Sequence, residues 1–256
     1  MEVSKEQNIL VLRVARRGGR LPKARVPEQV TSGVYRVDAG PYSNAISVLL
    51  IADEEGWALV DTGTLASPFR IQGALASLEA GLDELKRIYL THHHPDHIGG
   101  LQGVLWWATQ AEVVAPHLEA RIISGEHPPD IPPSKFGAFI ARRQPLTTQN
   151  IDRVLHEGDS FAGFRVIATP GHTLGHTSLL RDRDGLLFTG DAFGKKPFSR
   201  RIRVGVDKYI CADPLEAKRS AEKLLGEEFT TVVFSHGKTM REGAKERLAE
   251  IAARER

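Results

Sequence analysis

A layered α/β fold is predicted for this 256-residue chain from two features. From residue 34 onward, short apolar runs of strand character alternate with segments of helical period, an order typical of strands and helices packed in layers rather than of an all-β protein. Several of those runs also end alike, in a histidine or carboxylate beside a glycine or proline. In layered α/β folds such strand ends converge along one edge of a sheet, where sites form. An apolar content of 41% and a charged content of 26% are those of a soluble globular protein.

Taken in order, residues 8–14 and 34–37 read as short strands. Between them lies the basic stretch Arg16-Arg17-Gly18-Gly19-Arg20, followed by Lys23 and Arg25. No aromatic residue interleaves it, so it reads as a solvated extension rather than a phosphate-binding patch. Residues 45–52 form an apolar strand, Asp53-Glu54-Glu55-Gly56 a hairpin turn, and 57–60 the returning strand, which ends in Asp61-Thr62-Gly63. Ile71, Leu75, Leu78 and Leu82 share one helical face within 65–81, with Gly81 as the stop. A strand at 87–90, a helix at 101–109 carrying Trp106 and Trp107, and a strand at 112–115 follow.

Residues 116–150 break this rhythm with six prolines and two helix-like pieces, 118–123 and 136–143. An irregular insertion of that length is usually a lid or binding loop, and we read it as a wall of the substrate pocket. His117 and His127 within it read as surface residues. Strands resume at 161–168, 178–181 and 186–189, the last two joined by the hairpin turn Asp182-Arg183-Asp184-Gly185. A basic loop from Lys195 to Arg203 precedes a helix capped by Asp213-Pro214 and running to Leu225. A buried strand at 231–234 then leads into Ser235-His236-Gly237, and a helix spans 241–256. No linker or composition break divides the chain. We therefore expect one domain over 1–256, with 1–32 an N-terminal extension and strand, and 116–150 the inserted lid.

The densest chemistry is Thr91-His92-His93-His94-Pro95-Asp96-His97-Ile98-Gly99-Gly100, directly after the apolar run Ile88-Tyr89-Leu90. It places four of the ten histidines and a carboxylate within six residues. On an extended backbone residues i and i+2 share a face, so His92 and His94 point together while His93 points elsewhere. A solvated polar loop does not account for such a concentration, and the stretch reads as a metal site. Imidazole and carboxylate without thiolate favour zinc, iron or manganese. Asp61, His172, Asp191 and His236 stand at further strand ends and carry the same ligand chemistry.

Bulk properties narrow the rest. A formal net charge of +2 is too small to argue for nucleic acid, and the lone Cys211 excludes an internal disulfide. The first residues lack the basic start and long apolar core of a signal peptide, and no run is long enough to span a bilayer. A soluble, cytoplasmic protein acting on a small molecule is the expectation.

The order HxHxDH at 92–97, His172 in PGHT, Asp191 in TGD and His236 in SHG, preceded by Asp61 in DTG, resembles the metallo-β-lactamase-fold hydrolase superfamily, in its general glyoxalase II-like branch. The resemblance covers about residues 33–240. It implies an αββα sandwich of two mixed sheets with outer helices and two divalent metal ions at the sheet edge, zinc first, with manganese or iron as alternatives. His92, His94 and His172 would hold one ion; Asp96, His97 and His236 would hold the other, with Asp191 bridging. Asp61 and His176 would support the ligands by hydrogen bonds, and His93 has no ligand role in the pattern.

Two such ions lie about 3.5–4 Å apart and bring a shared water to hydroxide near neutral pH. The chemistry implied is attack of that hydroxide on a small ester, thioester or lactone carbonyl, with Asp96 the candidate to pass a proton to the leaving group. The loop from Phe193 to Phe198 lacks the glutathione-binding signature of glyoxalase II. Ala192-Phe193-Gly194 lacks the tyrosine that follows the bridging aspartate in acyl-homoserine lactonases. The basic loop keeps a phosphodiesterase on an anionic substrate as an alternative. A mononuclear iron enzyme resembling the persulfide dioxygenases is another, although those dispense with the ligands that Asp96, His97 and His236 supply here. A non-catalytic metal-binding scaffold ranks last, because no ligand of the pattern is lost.

Overall fold

The computed structural model describes residues 26–143, 148–196, 198–199 and 201–254. The strand expected at 8–14 and the basic stretch after it lie outside the described residues. In the first sheet β1 (Glu28–Thr31), β2 (Val34–Asp38), β3 (Ser47–Asp53) and β4 (Gly56–Val60) pair antiparallel in succession. After them β5 (Leu85–Tyr89), β6 (Glu112–Pro116) and β7 (Arg153–Leu155) add in parallel. The second sheet has the order β14 (Thr231–Val233), β11 (Leu186–Phe188), β10 (Thr177–Arg181), β9 (Phe164–Ala168), β8 (Ser160–Phe161), and its pairings are antiparallel except β11 with β14. Both sheets are thus mixed.

Side-chain alternation explains why the sheets stack. Along β3, Leu49 and Ile51 join Val60, Tyr89 and Val114 in a cluster that also contains Phe164, Val166, Leu179 and Phe188 of the second sheet. The intervening Val48 and Leu50 turn to the opposite face, against Ile71, Leu75, Leu101 and Val104. Those four come from α1 (Pro68–Ser77) and α3 (Leu101–Leu105). With both faces covered, the strand reads as a continuous apolar run, and each such side chain contributes about 1.5–3 kcal/mol by its burial. On the far side Ile167, Leu180, Leu187 and Val232 pack on α6 (Pro214–Leu225) and α7 (Ala244–Arg254) through Ala217, Ala221, Leu224 and Leu248. Helix, sheet, sheet, helix is the αββα order.

Several elements differ from the sequence reading, each for a local reason. Helix α1 stops at Ser77 because Glu79, at φ +59°, takes the left-handed position; its N–H bonds to Ala76 O and that of Ala80 to Leu75 O. Gly81 instead opens a short 3₁₀ turn, Leu82–Glu84. Helix α3 is half the expected length, and Trp106 and Trp107 lie in the turn beyond it. The run 161–168 is a tight hairpin rather than one strand, because Ala162 (φ +47°) and Gly163 (φ +79°) reverse the chain.

Strands β1 and β7 have too few apolar positions to show a pattern, and β1 lies inside the segment read mainly as an extension. The basic loop contains a ribbon of β12 (Phe193–Lys195) and β13 (Ile202–Val204). The last helix begins at Ala244, three residues later than expected. In the 116–150 segment α4 (His117–Ile123) and α5 (Lys135–Ala141) stand where helices were expected.

Candidate metal centre

The ligand-type residues gather where strands of both sheets run out. Asp61 follows β4 and His92 follows β5; His172, Asp191 and His236 follow β9, β11 and β14. His94 caps α2 (Pro95–Ile98), whose first turn carries Asp96 and His97 back under the same point. Three groups result, with ligand atoms within 4.8 Å of one another: His92, His94 and His172; Asp96, His97 and His236; and His92, His97 and Asp191.

Each ring is aimed from behind. His97 Nδ1 lies 2.8 Å from Asp61 Oδ2, His172 Nδ1 3.1 Å from Gly205 O, and His236 Nδ1 2.6 Å from Ala45 O. His92 Nδ1 is 3.0 Å from Thr91 Oγ1, whose hydroxyl donates to Asp61. Carbonyls and carboxylates accept only, so Nδ1 carries a proton in the three direct cases, and Nε2 is the nitrogen turned toward the shared space. His94 differs. Its Nδ1 faces His172 Nε2 at 2.9 Å, so the two nitrogens already address a common point.

Asp191 sits between the two histidine groups. Oδ2 is 3.2 Å from His172 Nε2, while Oδ1 is 3.5 Å from His97 Nε2 and 3.4 Å from His236 Nε2. His176 holds it from behind: its Nε2 accepts the Asp191 N–H at 2.9 Å and its Nδ1 lies 2.9 Å from Thr169 Oγ1. Gly190, at φ +52°, permits this, since a Cβ there would stand 2.5 Å from His176 Nε2. Gly171 is equally constrained, because any Cβ would strike the backbone of Ala217 in α6. That close approach seats the His172 loop on the helix, and the Asp213 N–H to Gly171 O bond fixes it.

Burial and charge divide the site. Burial, then neighbouring imidazoles, holds His92 and His94 well below the usual histidine pKa; His172 is lowered too, mainly by burial. Burial and His172 bring His176 down to about 3. Around Asp96 and Asp191 the balance reverses. Burial opposes the charged ring of His97, yet Asp191 and Asp61 raise it to about 10; His236 rises likewise despite burial, through Asp191 and Asp96. Desolvation would raise both Asp191 and Asp96, but the facing histidines hold them below the ordinary carboxylate range.

The donor set fits divalent cations. His92 Nε2, His97 Nε2 and Asp191 Oδ1 are fully buried without a hydrogen-bond partner, the 3.4–3.5 Å approaches to Asp191 being ion-pair contacts only. Orphaned buried polar atoms are costly, and here they converge on one space. The other histidines behave otherwise. His117 stacks on His156, and His127 Nδ1 contacts Pro128 O. His93 turns away from the cluster onto Glu119, with Nδ1 2.7 Å from Oε2. Glu119 has no counterpart in the sequence reading; its helix, His117–Ile123, also carries Arg121, so nothing in the letters singles it out.

Asp61, the residue behind His97 and Thr91, offers a direct test. Asp61→Asn keeps the volume, and asparagine tolerates its left-handed backbone (φ +60°). It cannot accept from His97, Thr91 N and Thr91 Oγ1 all at once. The expected result is a loss of about 10–100-fold in metal affinity, read by competition with a chelator. Wild-type retention would remove Asp61 from the ligand support.

The sequence model of the metallo-beta-lactamase superfamily matches residues 43–236. A protein of Bacillus subtilis (strain 168) described as a probable metallo-hydrolase is 30% identical over 213 residues, covering 76% of this chain and 80% of its own. A hydroxyacylglutathione hydrolase of Rhodopseudomonas palustris is 36% identical over 137 residues, 51% of this chain and 44% of that protein, so the match spans less than half of that relative. A subclass B3 metallo-beta-lactamase from a soil metagenome superposes with a TM-score of 0.66 at 19% identity, covering 91% of this chain and 95% of that one. A metallo-beta-lactamase family protein of Thermus thermophilus gives 0.63 at 25% identity, over 88% and 80%. At such identities the structural matches speak to the fold.

Proposed function

Because the chain belongs to the metallo-β-lactamase superfamily, we propose that it is a hydrolase that uses two divalent metal ions, zinc first among them, to open a small ester, thioester or lactone. Asp191 is the observation that carries this reading: one oxygen faces His172 and the other faces both His97 and His236. A buried carboxylate divided in this way is placed to serve two ions at once. When bound, the ions would supply a hydroxide at neutral pH and a Lewis acid for the substrate oxygen.

The chain's own residues supply the rest. His92, His94 and His172 would hold one ion, and Asp96, His97 and His236 the other, with Asp191 between them. Asp61 and His176 fix the orientation of His97 and Asp191. Asp96 reaches solvent, its side chain 41% exposed with Oδ2 3.3 Å from His236 Nε2. We assign it the transfer of a proton to the leaving atom at the mouth of the site.

The 116–150 segment would form one wall of the pocket. Its helix α5 is anchored by Ser134, whose Oγ caps Gly137 N and donates to Tyr209 O, leaving Phe136 and Phe139 exposed. Arg203 favours a second reading, an anionic substrate such as a phosphodiester. It is half-buried on β13 opposite Gly194, and its Nε is buried with no hydrogen-bond partner among the described residues. No described helix is long and apolar enough to cross a membrane, and the lone, buried Cys211 fits a reducing cytoplasm.

Metal analysis of the purified protein, paired with a panel of thioesters, lactones, β-lactams and phosphodiesters, tests the proposal. About two zinc or manganese ions per chain with turnover of one carbonyl class is the expected result. One iron per chain, with oxygen uptake on a persulfide and no hydrolysis, would overturn it.

A further inference from the structure

Glu119 lies on α4, outside the ligand set, and is wholly buried. An isolated carboxylate in that position would be strongly disfavoured, so its partners define what it does. Oε2 accepts from the backbone N–H of His93 at 2.8 Å and sits 2.7 Å from His93 Nδ1. Oε1 accepts from Thr173 Oγ1 at 2.6 Å. His93 stands between His92 and His94 in the chain, and Thr173 follows His172. One carboxylate therefore grips the neighbours of all three residues in one histidine group, whose members His94 and His172 lie 78 residues apart in the chain.

The grip is close on every side. A Cβ at Gly175 would lie 2.8 Å from Glu119 Oε1, so the His172 loop is pressed against this side chain. Asp130, further along the same inserted segment, accepts from Leu174 N at 2.6 Å and reinforces the attachment. The Asp96, His97 and His236 group has no such link to Glu119 in these hydrogen bonds; its supports are Asp61 and Ala45 O.

We propose that Glu119 is a positioning residue that sets the spacing of His92 and His94 against His172, and so governs selectively the affinity of the ion those three hold. The proposal rests on the ligand assignment given above. His93, Glu119 and Asp130 also lie close enough together to be weighed as a cation site of their own. Glu119 already accepts three bonds and Asp130 the Leu174 N–H, which makes them fasteners rather than open ligands.

The test uses the full-length protein, stripped and titrated with zinc against a chromogenic chelator. His236→Ala isolates the ion of the three-histidine group, and His94→Ala isolates the other. Glu119→Gln keeps the shape but replaces one accepting oxygen with a donor and removes the charge from short, charge-assisted bonds. In the His236→Ala background it should weaken zinc binding about 10–100-fold, the usual cost of removing a ligand's support. In the His94→Ala background binding should stay within about threefold.

Thr173→Val removes only the Oε1 contact and should move the same ion in the same direction by less; it carries the test if Glu119→Gln does not fold. Equal losses in both backgrounds, or no loss in either, would overturn the proposal. So would a third zinc in the wild type that disappears in Glu119→Gln. Wild type that binds no zinc would instead sink the ligand assignment itself.

Discussion

Asp191→Ala is expected to abolish hydrolysis while leaving the fold intact. The carboxylate stands 3.2 Å from His172 on one side and 3.4–3.5 Å from His236 and His97 on the other, so under the two-ion proposal its loss would remove a donor from both ions at once. Lewis-acid stabilisation of the transition state is worth several kcal/mol, and each 1.36 kcal/mol is tenfold in rate. A fall in kcat/KM on the order of a thousandfold or more follows, with bound metal below two per chain. The fold should persist, because the backbone N–H of Asp191 keeps its bond to His176 Nε2 whatever side chain it carries. Turnover within about tenfold of wild type, measured on a variant of unchanged melting temperature, would refute the bridging role.

The layered class was legible because β3 to β6 are apolar and sharply punctuated. The second half was read less fully, for physical reasons. A two-residue reversal such as Ala162-Gly163 leaves no gap in an apolar run, so β8 and β9 merged into one strand. The ribbon β12–β13 lies within charged sequence, and its pairing comes from backbone bonds that composition does not reveal. At the end of α1, the left-handed residue was sought at Gly81, whereas Glu79 bears that conformation.

Ligand-type residues were more visible than the groups that aim them. Histidines and aspartates at strand ends stand out by type and spacing, and the structure brings all seven together in overlapping groups. Asp61 was visible because it also ends a strand. Glu119 was not, since a glutamate in a short helix is ordinarily solvent-facing and only the folded chain shows it buried. Thr91 and Thr169, which relay bonds from Asp61 and to His176, are likewise unremarkable as letters. Their roles depend on contacts between segments distant in sequence.

Removal of the ions should lower stability and make their return proton-coupled. At a free metal concentration 1,000 times Kd, each ion stabilises the folded state by about 4.1 kcal/mol. A domain of this size shifts by about 2–4 °C per kcal/mol, so stripping should cost on the order of 10 °C for each ion. The two groups should refill differently. His92, His94 and His172 are held below the ordinary histidine pKa and are already neutral near pH 7. His97, raised to about 10 by Asp191 and Asp61, and His236, raised well above the ordinary histidine value by Asp191 and Asp96, hold protons there that an ion must displace. Affinity for the ion held by Asp96, His97 and His236 should therefore increase with pH from about 6 to 9, by up to about tenfold per pH unit for each proton released. Affinity at the three-histidine group should change far less. Calorimetric titration of stripped protein in buffers of different ionisation enthalpy would count the protons. Refilling of both ions without proton release would contradict the assignment of His97 and His236 as ligands.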